Sequence, residues 1–212
     1  AAGDWLYEKT GRHPLLNPVP IAIALIAGLL WLTDVPYADY FEGAQFVHFL
    51  LGPATVALAV PLYQHLAELR KSGPALIVGI LAGSITASGC AVGFAWLGGA
   101  STETLLSIAP KSVTAPIAMG IAEQLGGLPS LTAVLVILTG ITGALFGPLV
   151  LNLVRIKDWR ARGLALGVAS HGIGTARALQ VNPIAGAFAG LAMGLNGLAT
   201  AILLPLIFAL VF

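Results

Sequence analysis

Charge is what this sequence lacks. Only 9% of its 212 residues are Asp, Glu, Lys or Arg, against about 25% in an ordinary soluble domain. Hydrophobic residues make up 58%, and the mean hydropathy is +0.93. Residues 74–98, 125–154 and 178–212 carry no Asp, Glu, Lys or Arg, and each exceeds the roughly 20 apolar residues that cross a bilayer. A soluble globular protein is excluded. The expected class is all-α, a polytopic helical membrane protein in contact with the lipid bilayer.

Cysteine is nearly absent too. The single Cys90 rules out a disulfide or a cysteine-based zinc cluster within one chain. Its place in the middle of an apolar segment predicts a buried, inert thiol. The net charge of +1 says nothing about nucleic acid, and with no basic run or aromatic-interleaved patch no nucleic-acid partner is expected. There is no nucleotide loop, metal-ligand cluster or hydrolase triad, so no enzyme activity, metal or cofactor is expected. Ser170 and His171 do not start a triad, because adjacent side chains on a helix point apart. The opening AAGDWLYEKTGRHP has no apolar core of a signal peptide. It reads as the polar end of a helix whose first span is mostly missing.

Prolines recur in a pattern. Pro18, Pro74, Pro129 and Pro183 each open an apolar segment, at spacings of 56, 55 and 54 residues. Proline suits the first helical turn, where its missing N–H is not needed. The regularity predicts repeat units starting near 18, 74, 129 and 183 within one transmembrane domain over 1–212. A second proline follows in the first two units, Pro53 and Pro110, aligning Thr55 with Ser112. SIT at 84–86 and GIT at 140–142 share the same register. Each unit therefore reads as a spanning helix followed by a proline-broken, re-entrant one. Broken helices are tolerated at membrane depth where the freed backbone is buried or lines a cavity, and transporters with internal repeats hold substrate there.

Lys and Arg set the orientation. Lys9 with Arg12, Arg70 with Lys71, and Arg155, Lys157, Arg160 and Arg162 all fall on one side if 50–69 crosses fully while 101–125 enters and returns. Trp31, Tyr37, Tyr40, Trp96 and Trp159 lie near predicted helix ends, as an aromatic belt requires. Gly186, Gly190 and Gly194, and Gly79 with Gly83, recur four apart, a spacing that packs helices backbone to backbone. We expect close packing within one subunit from these glycines, and a homo-oligomer, most simply a dimer, for the protein. His48 and His65 have no assigned role.

Two motifs carry the chemistry. In APKSVTAP, 109–116, Lys111 is the only charge between Glu103 and Glu123, and two prolines forbid a continuous helix. Backbone N–H groups at such a break attract anions. Ser112 and Thr114 add hydroxyl donors, and Lys111 adds positive charge, a set that suits a carboxylate. The plainer alternative is a snorkelling lysine with hydroxyls that cap a helix, but an ionisable group inside a span is functional by default. In SHGIGTAR, 170–177, Ser170 and Thr175 are donors, and Gly172 and Gly174 permit close approach to the backbone. Arg177 can grip a carboxylate bidentately, and His171 titrates near neutrality and could carry a coupled proton.

HPLLNP at 13–18, PATVALAVPLY at 53–63, PKSVTAPIAM at 110–119 and RGLALGVASHGIGTARAL at 162–179 resemble the LrgB/CidB family. The resemblance runs from about residue 12 to 212. Family members usually carry a further N-terminal stretch, in keeping with the truncated look of the first ten residues. The family implies a multi-pass protein of the bacterial inner membrane. Its bacterial members are described as holin/antiholin-like regulators of murein hydrolases and lysis, acting with a small LrgA/CidA-type partner. The similar domain of the plastid envelope is a glycolate/glycerate translocator, and some bacterial relatives are linked to pyruvate.

A hole-forming protein has no use for cations at helix breaks, so the residues favour a secondary transporter of small monocarboxylates. On that expectation Lys111 and Arg177 share the carboxylate of a small organic anion. Ser112, Thr114, Ser170 and Thr175 then donate to it or to a substrate hydroxyl, His171 couples a proton, and Asn17 and Thr55 serve the remaining breaks.

Overall fold

A computed structural model describes residues 9–10, 18–49, 63 and 66–211. Among these residues every regular element is an α-helix. The chain divides into two compact units, residues 1–59 and 60–212.

In the first unit, α1 (Pro18–Thr33) is apolar throughout and α2 (Tyr37–Phe49) more polar. The turn between them bends at Asp34, φ 53°, and closes with Val35 N–H donating to Leu30 O at 3.2 Å. Asp39 sits in the first turn of α2, where a carboxylate complements the helix dipole. The rings of Tyr37 and Phe41 stack one turn apart, 5.8 Å between centroids.

The second unit begins with the short α3 (Leu66–Lys71) and continues into α4 (Gly73–Leu97), whose first turn holds Pro74. Next come α5 (Thr102–Ile108) and α6 (Ala115–Leu125), separated by a turn. They are followed by α7 (Pro129–Leu153), α8 (Trp159–Val181) and α9 (Pro183–Val211). Each of the four segment-opening prolines stands in the first turn of a helix, as the sequence predicts.

Among the described residues, three helices are long and apolar enough to cross a membrane: α4, α7 and most of α9. Segment 101–125 contains none. At about 1.5 Å per residue, its helices of 7 and 11 residues fall well short of a ~30 Å hydrocarbon layer. A spanning helix followed by an interrupted one thus occurs twice, α4 with α5 and α6, then α7 with α8. The expected full crossing of 50–69 lies mostly outside the described residues.

Packing centres on α8, which lies most extensively along α9 and then along α7. Glycine makes the first contact possible. A Cβ on Gly163 or Gly167 would overlap the carbonyls of Ala185 and Ala189 respectively, so the two helices meet backbone to backbone. Gly79 and Gly83 of α4 admit Leu164 and Val168 of α8, at 2.6 and 2.9 Å from the missing methyls. Gly186 admits Leu179, whereas Gly194 faces open space. Leu151, Leu166, Ala178, Ala185 and Ala189 form the central cluster of α7, α8 and α9.

One expectation is corrected. Cys90 is exposed, not buried. The buried stripe of α4 is Leu76, Ile80 and Ser84, spaced four apart, and Cys90 lies off that stripe. Hydropathy cannot reveal this, because lipid is as apolar as a protein core. Trp31, Tyr37 and Trp96 are exposed near helix ends, consistent with interfacial anchoring. Trp159 begins α8 with the Arg162 guanidinium 5.2 Å above its ring.

Candidate functional site

The first break is the turn at 109–114. Lys111 N–H donates to Ile108 O at 3.1 Å and Val113 N–H to Pro110 O at 3.2 Å, so the chain turns tightly instead of continuing α5. Thr114 has extended backbone (φ −63°, ψ 147°) and precedes α6 with Pro116 in its first turn. Its hydroxyl makes no capping bond. The preceding helix is pinned to α7. Ser107 Oγ donates to Glu103 O at 2.7 Å and accepts from Leu128 N–H at 2.8 Å, while Thr132 Oγ1 lies 3.0 Å from Ser107 O. Ser107 and Thr132 are fully buried, which fixes where the turn and its lysine stand. Ser112 is buried, and Lys111 Nζ, half-buried, donates to Ser112 Oγ at 3.3 Å.

The second break lies inside α8 and is made without proline. Ser170 (φ −132°, ψ 16°) and His171 (φ 40°, ψ −133°) leave the helical region, dividing α8 into two halves. A positive φ on a histidine is sparsely populated backbone, which costs about 1–3 kcal/mol and persists where its surroundings over-determine it. The surroundings here are α7. His171 Nε2 donates to Val136 O at 2.8 Å, the ring nitrogen being the donor because a carbonyl only accepts. A Cβ at Gly140 would lie 2.7 Å from His171 Cε1, and one at Gly143 would overlap Ser170 Oγ. Gly140 and Gly143 thus form a notch that receives the broken turn.

Within α8 the expected donors divide. Thr175 Oγ1 donates to His171 O at 2.8 Å and is buried, so its hydroxyl serves the second half-helix. Gly174 is filled by its own chain: a Cβ there would meet Leu166 O and Ser170 Cβ at 2.5 Å. Gly172 has only Met193 Sδ nearby, at 3.9 Å. Ser170 Oγ is different, since it is buried and has no hydrogen-bond partner. Arg177 is buried on the second half of α8.

A cavity of about 360 Å³ joins the two breaks. Lys111 and Ser170 both line it, together with Thr139, Thr142 and Gly143 of α7. Arg177 is not part of the lining, so the cavity brings one of the two expected cations to Ser170 and not the other. Asn17 and Thr55 lie outside the described residues. A larger cavity of about 490 Å³ between α4, α5 and α9 is mostly apolar, lined by residues such as Val92, Leu105, Leu204 and Phe208, with the hydroxyls of Ser84, Ser88, Thr102 and Thr200 among them. It lacks a charged group and is no match for an anion.

Sequence reading missed the α7 side of the site and Asn196 of α9. Asn196 Nδ2 donates to Ser112 O at 3.4 Å and to Val168 O at 3.3 Å. The available signal was a set of polar and small residues inside otherwise apolar spans. Among the described residues, no group of three or more His, Cys, Asp or Glu is placed to hold a metal.

These features define a helical membrane protein in which two helix breaks meet at an open cavity lined by Lys111, Ser170, Thr139 and Thr142 together with the apolar Ile108, Leu135 and Leu138. The sequence profile of the LrgB-like family matches residues 1–210, and the chain belongs to that family. An uncharacterized protein of Haemophilus influenzae is 34% identical, covering 99% of this chain and 92% of its own length. The uncharacterized proteins YwbG and YxaC of Bacillus subtilis are each 38% identical, covering 87% and 92% of this chain and 82% and 84% of their own. No solved structure matches the chain.

Proposed function

We propose that this LrgB-family protein is a secondary transporter of small monocarboxylates, of glycolate, glycerate or pyruvate type, in the bacterial inner membrane. The observation that carries the reading is the shared cavity: Lys111 and Ser170, whose buried hydroxyl has no partner, come from two separate helix breaks and line one open cleft. Lys111 neutralises the carboxylate. Ser170, with Thr139 and Thr142, supplies the hydroxyl groups around it. Some 360 Å³ accommodates a two- or three-carbon acid with several waters, each occupying about 30 Å³ in the liquid. Ser112 orients the Lys111 ammonium, and the freed backbone at Thr114 and around Gly172 adds positive potential. Arg177 acts on the same anion farther along its path. His171, bonded to Val136 O across the notch, is the candidate for proton coupling. A holin-like role, with a small membrane partner and an oligomeric pore, leaves these groups without a task.

Uptake of labelled glycolate, glycerate and pyruvate into proteoliposomes holding the purified protein alone tests the proposal. Saturable uptake of at least one acid, without leakage of an enclosed dye, is expected. Dye leakage with no saturable uptake of any of the three would point instead to the lysis-regulating role.

A further inference from the structure

Asn196 of α9 hydrogen-bonds both to the turn between α5 and α6 and to the stretch just before the break of α8. Its amide donates to Ser112 O in the turn between α5 and α6, and to Val168 O, two residues before the break of α8 begins. Those acceptors are 56 residues apart in sequence, and both belong to segments whose regular helical pattern has ended or is about to end. The residue is 1% exposed. At 3.4 and 3.3 Å both bonds lie at the long end of hydrogen-bond distances, one amide being divided between two carbonyls. Its Oδ1 is buried with no partner. In a water-free interior an unsatisfied carbonyl oxygen is costly, and a leucine of similar volume would pack there without it. What the carboxamide supplies and leucine does not is a pair of N–H donors aimed at two different elements.

We propose that Asn196 is a positioning residue that holds the two breaks in mutual register, so that Lys111 and Ser170 face the same cavity. Lys111 and Ser112 are consecutive, and Val168 and Ser170 are two apart, so each bond from Asn196 fixes a cavity-lining side chain through its near neighbour. The inference rests on the transport reading only in taking this cavity as the binding site. Its test measures distance, not transport.

With Cys90→Ser as background, Lys111→Cys and Ser170→Cys are introduced together and joined by a short bifunctional methanethiosulfonate in liposome-embedded protein. A second pair, Ser84→Cys with Thr200→Cys, reports on the α4–α9 contact, where the native oxygens are 3.0 Å apart. Adding Asn196→Leu is expected to lower cross-linking of the cavity pair about fivefold or more, the population change that loss of one such hydrogen bond corresponds to. The α4–α9 pair should stay unchanged. Asn196→Asp, which keeps the shape but lacks the two N–H donors, should act like leucine. Undiminished cavity cross-linking in either variant overturns the proposal. So does loss of both pairs in both variants, which would make Asn196 a folding residue. Failure of the transport reading would appear separately, as absent uptake by the wild-type protein.

Discussion

A missing methyl group at position 143 decides the shape of the site. Gly143 leaves the space that Ser170 Oγ occupies, and any Cβ there would overlap it. Gly143→Ala should therefore displace the broken turn from its notch, an overpacking change that costs about 1–3 kcal/mol. The expected outcome is saturable uptake reduced tenfold or more, on the order of one such increment, with protein still recovered folded in detergent. Unchanged KM and rate in this variant would place Ser170 outside the binding site. At the other end of α8, Asp158 caps the helix by accepting from Arg160 N–H at 2.8 Å and pairs with the Arg160 guanidinium. The Arg160 side-chain bond, then that backbone bond, hold its carboxyl at about 2, below the usual 3.8. Because the folded value is depressed, the stability this group adds is complete above about 3.8 and disappears as pH falls through about 2. The pair is half exposed, so the cap matters more than the charge. Asp158→Ala should cost about 1 kcal/mol at neutral pH, and its melting difference from wild type should narrow between pH 4 and 2. Lys111 and Ser170 were legible in the sequence as polar groups where lipid offers no solvation. Thr139, Thr142 and Asn196 were not, because each is a single uncharged residue in a stretch that hydropathy averages away.

Helices were legible where prolines open them. Pro74, Pro129 and Pro183 announce α4, α7 and α9 because a missing N–H costs nothing in a first turn. The turn at 109–114 was legible for the converse reason, since two prolines six residues apart leave no room for a continuous helix. The interruption in α8 carries no proline. Its signal was polarity and glycine, and its cause lies in another element, the Gly140–Gly143 notch and Val136 O of α7. Sequence alone does not say which faces meet. The glycines show this: Gly167 is pressed against Ala189 O, whereas Gly194, equally helical and inside a small-residue repeat, faces open space. Gly167→Ala should lower the melting temperature in detergent, because the carbonyl it would strike is backbone and cannot turn aside. Gly194→Ala should be neutral or stabilising, by up to about 1 kcal/mol of helix propensity. The reverse order of the two melts would contradict the α8–α9 packing described here.

For the whole molecule, composition alone specified a helical membrane protein, since no soluble domain tolerates so little charge. It did not specify inside and outside. Cys90 lies on the exposed side of α4, among residues as apolar as its buried stripe. In water the hydrophobic effect writes the buried face into a helix as a moment; in lipid only polar and small residues mark it. That is why the cavity, and not the span pattern, carries the functional reading. Its central claim is that Lys111, half-buried between two helix breaks, neutralises a passing carboxylate. Initial rates of labelled monocarboxylate uptake into proteoliposomes test this directly, comparing wild type, Lys111→Ala and Lys157→Ala, the last on an exposed loop. Lys111→Ala is expected to abolish saturable uptake while Lys157→Ala matches wild type. Wild-type uptake rates in Lys111→Ala would contradict the account.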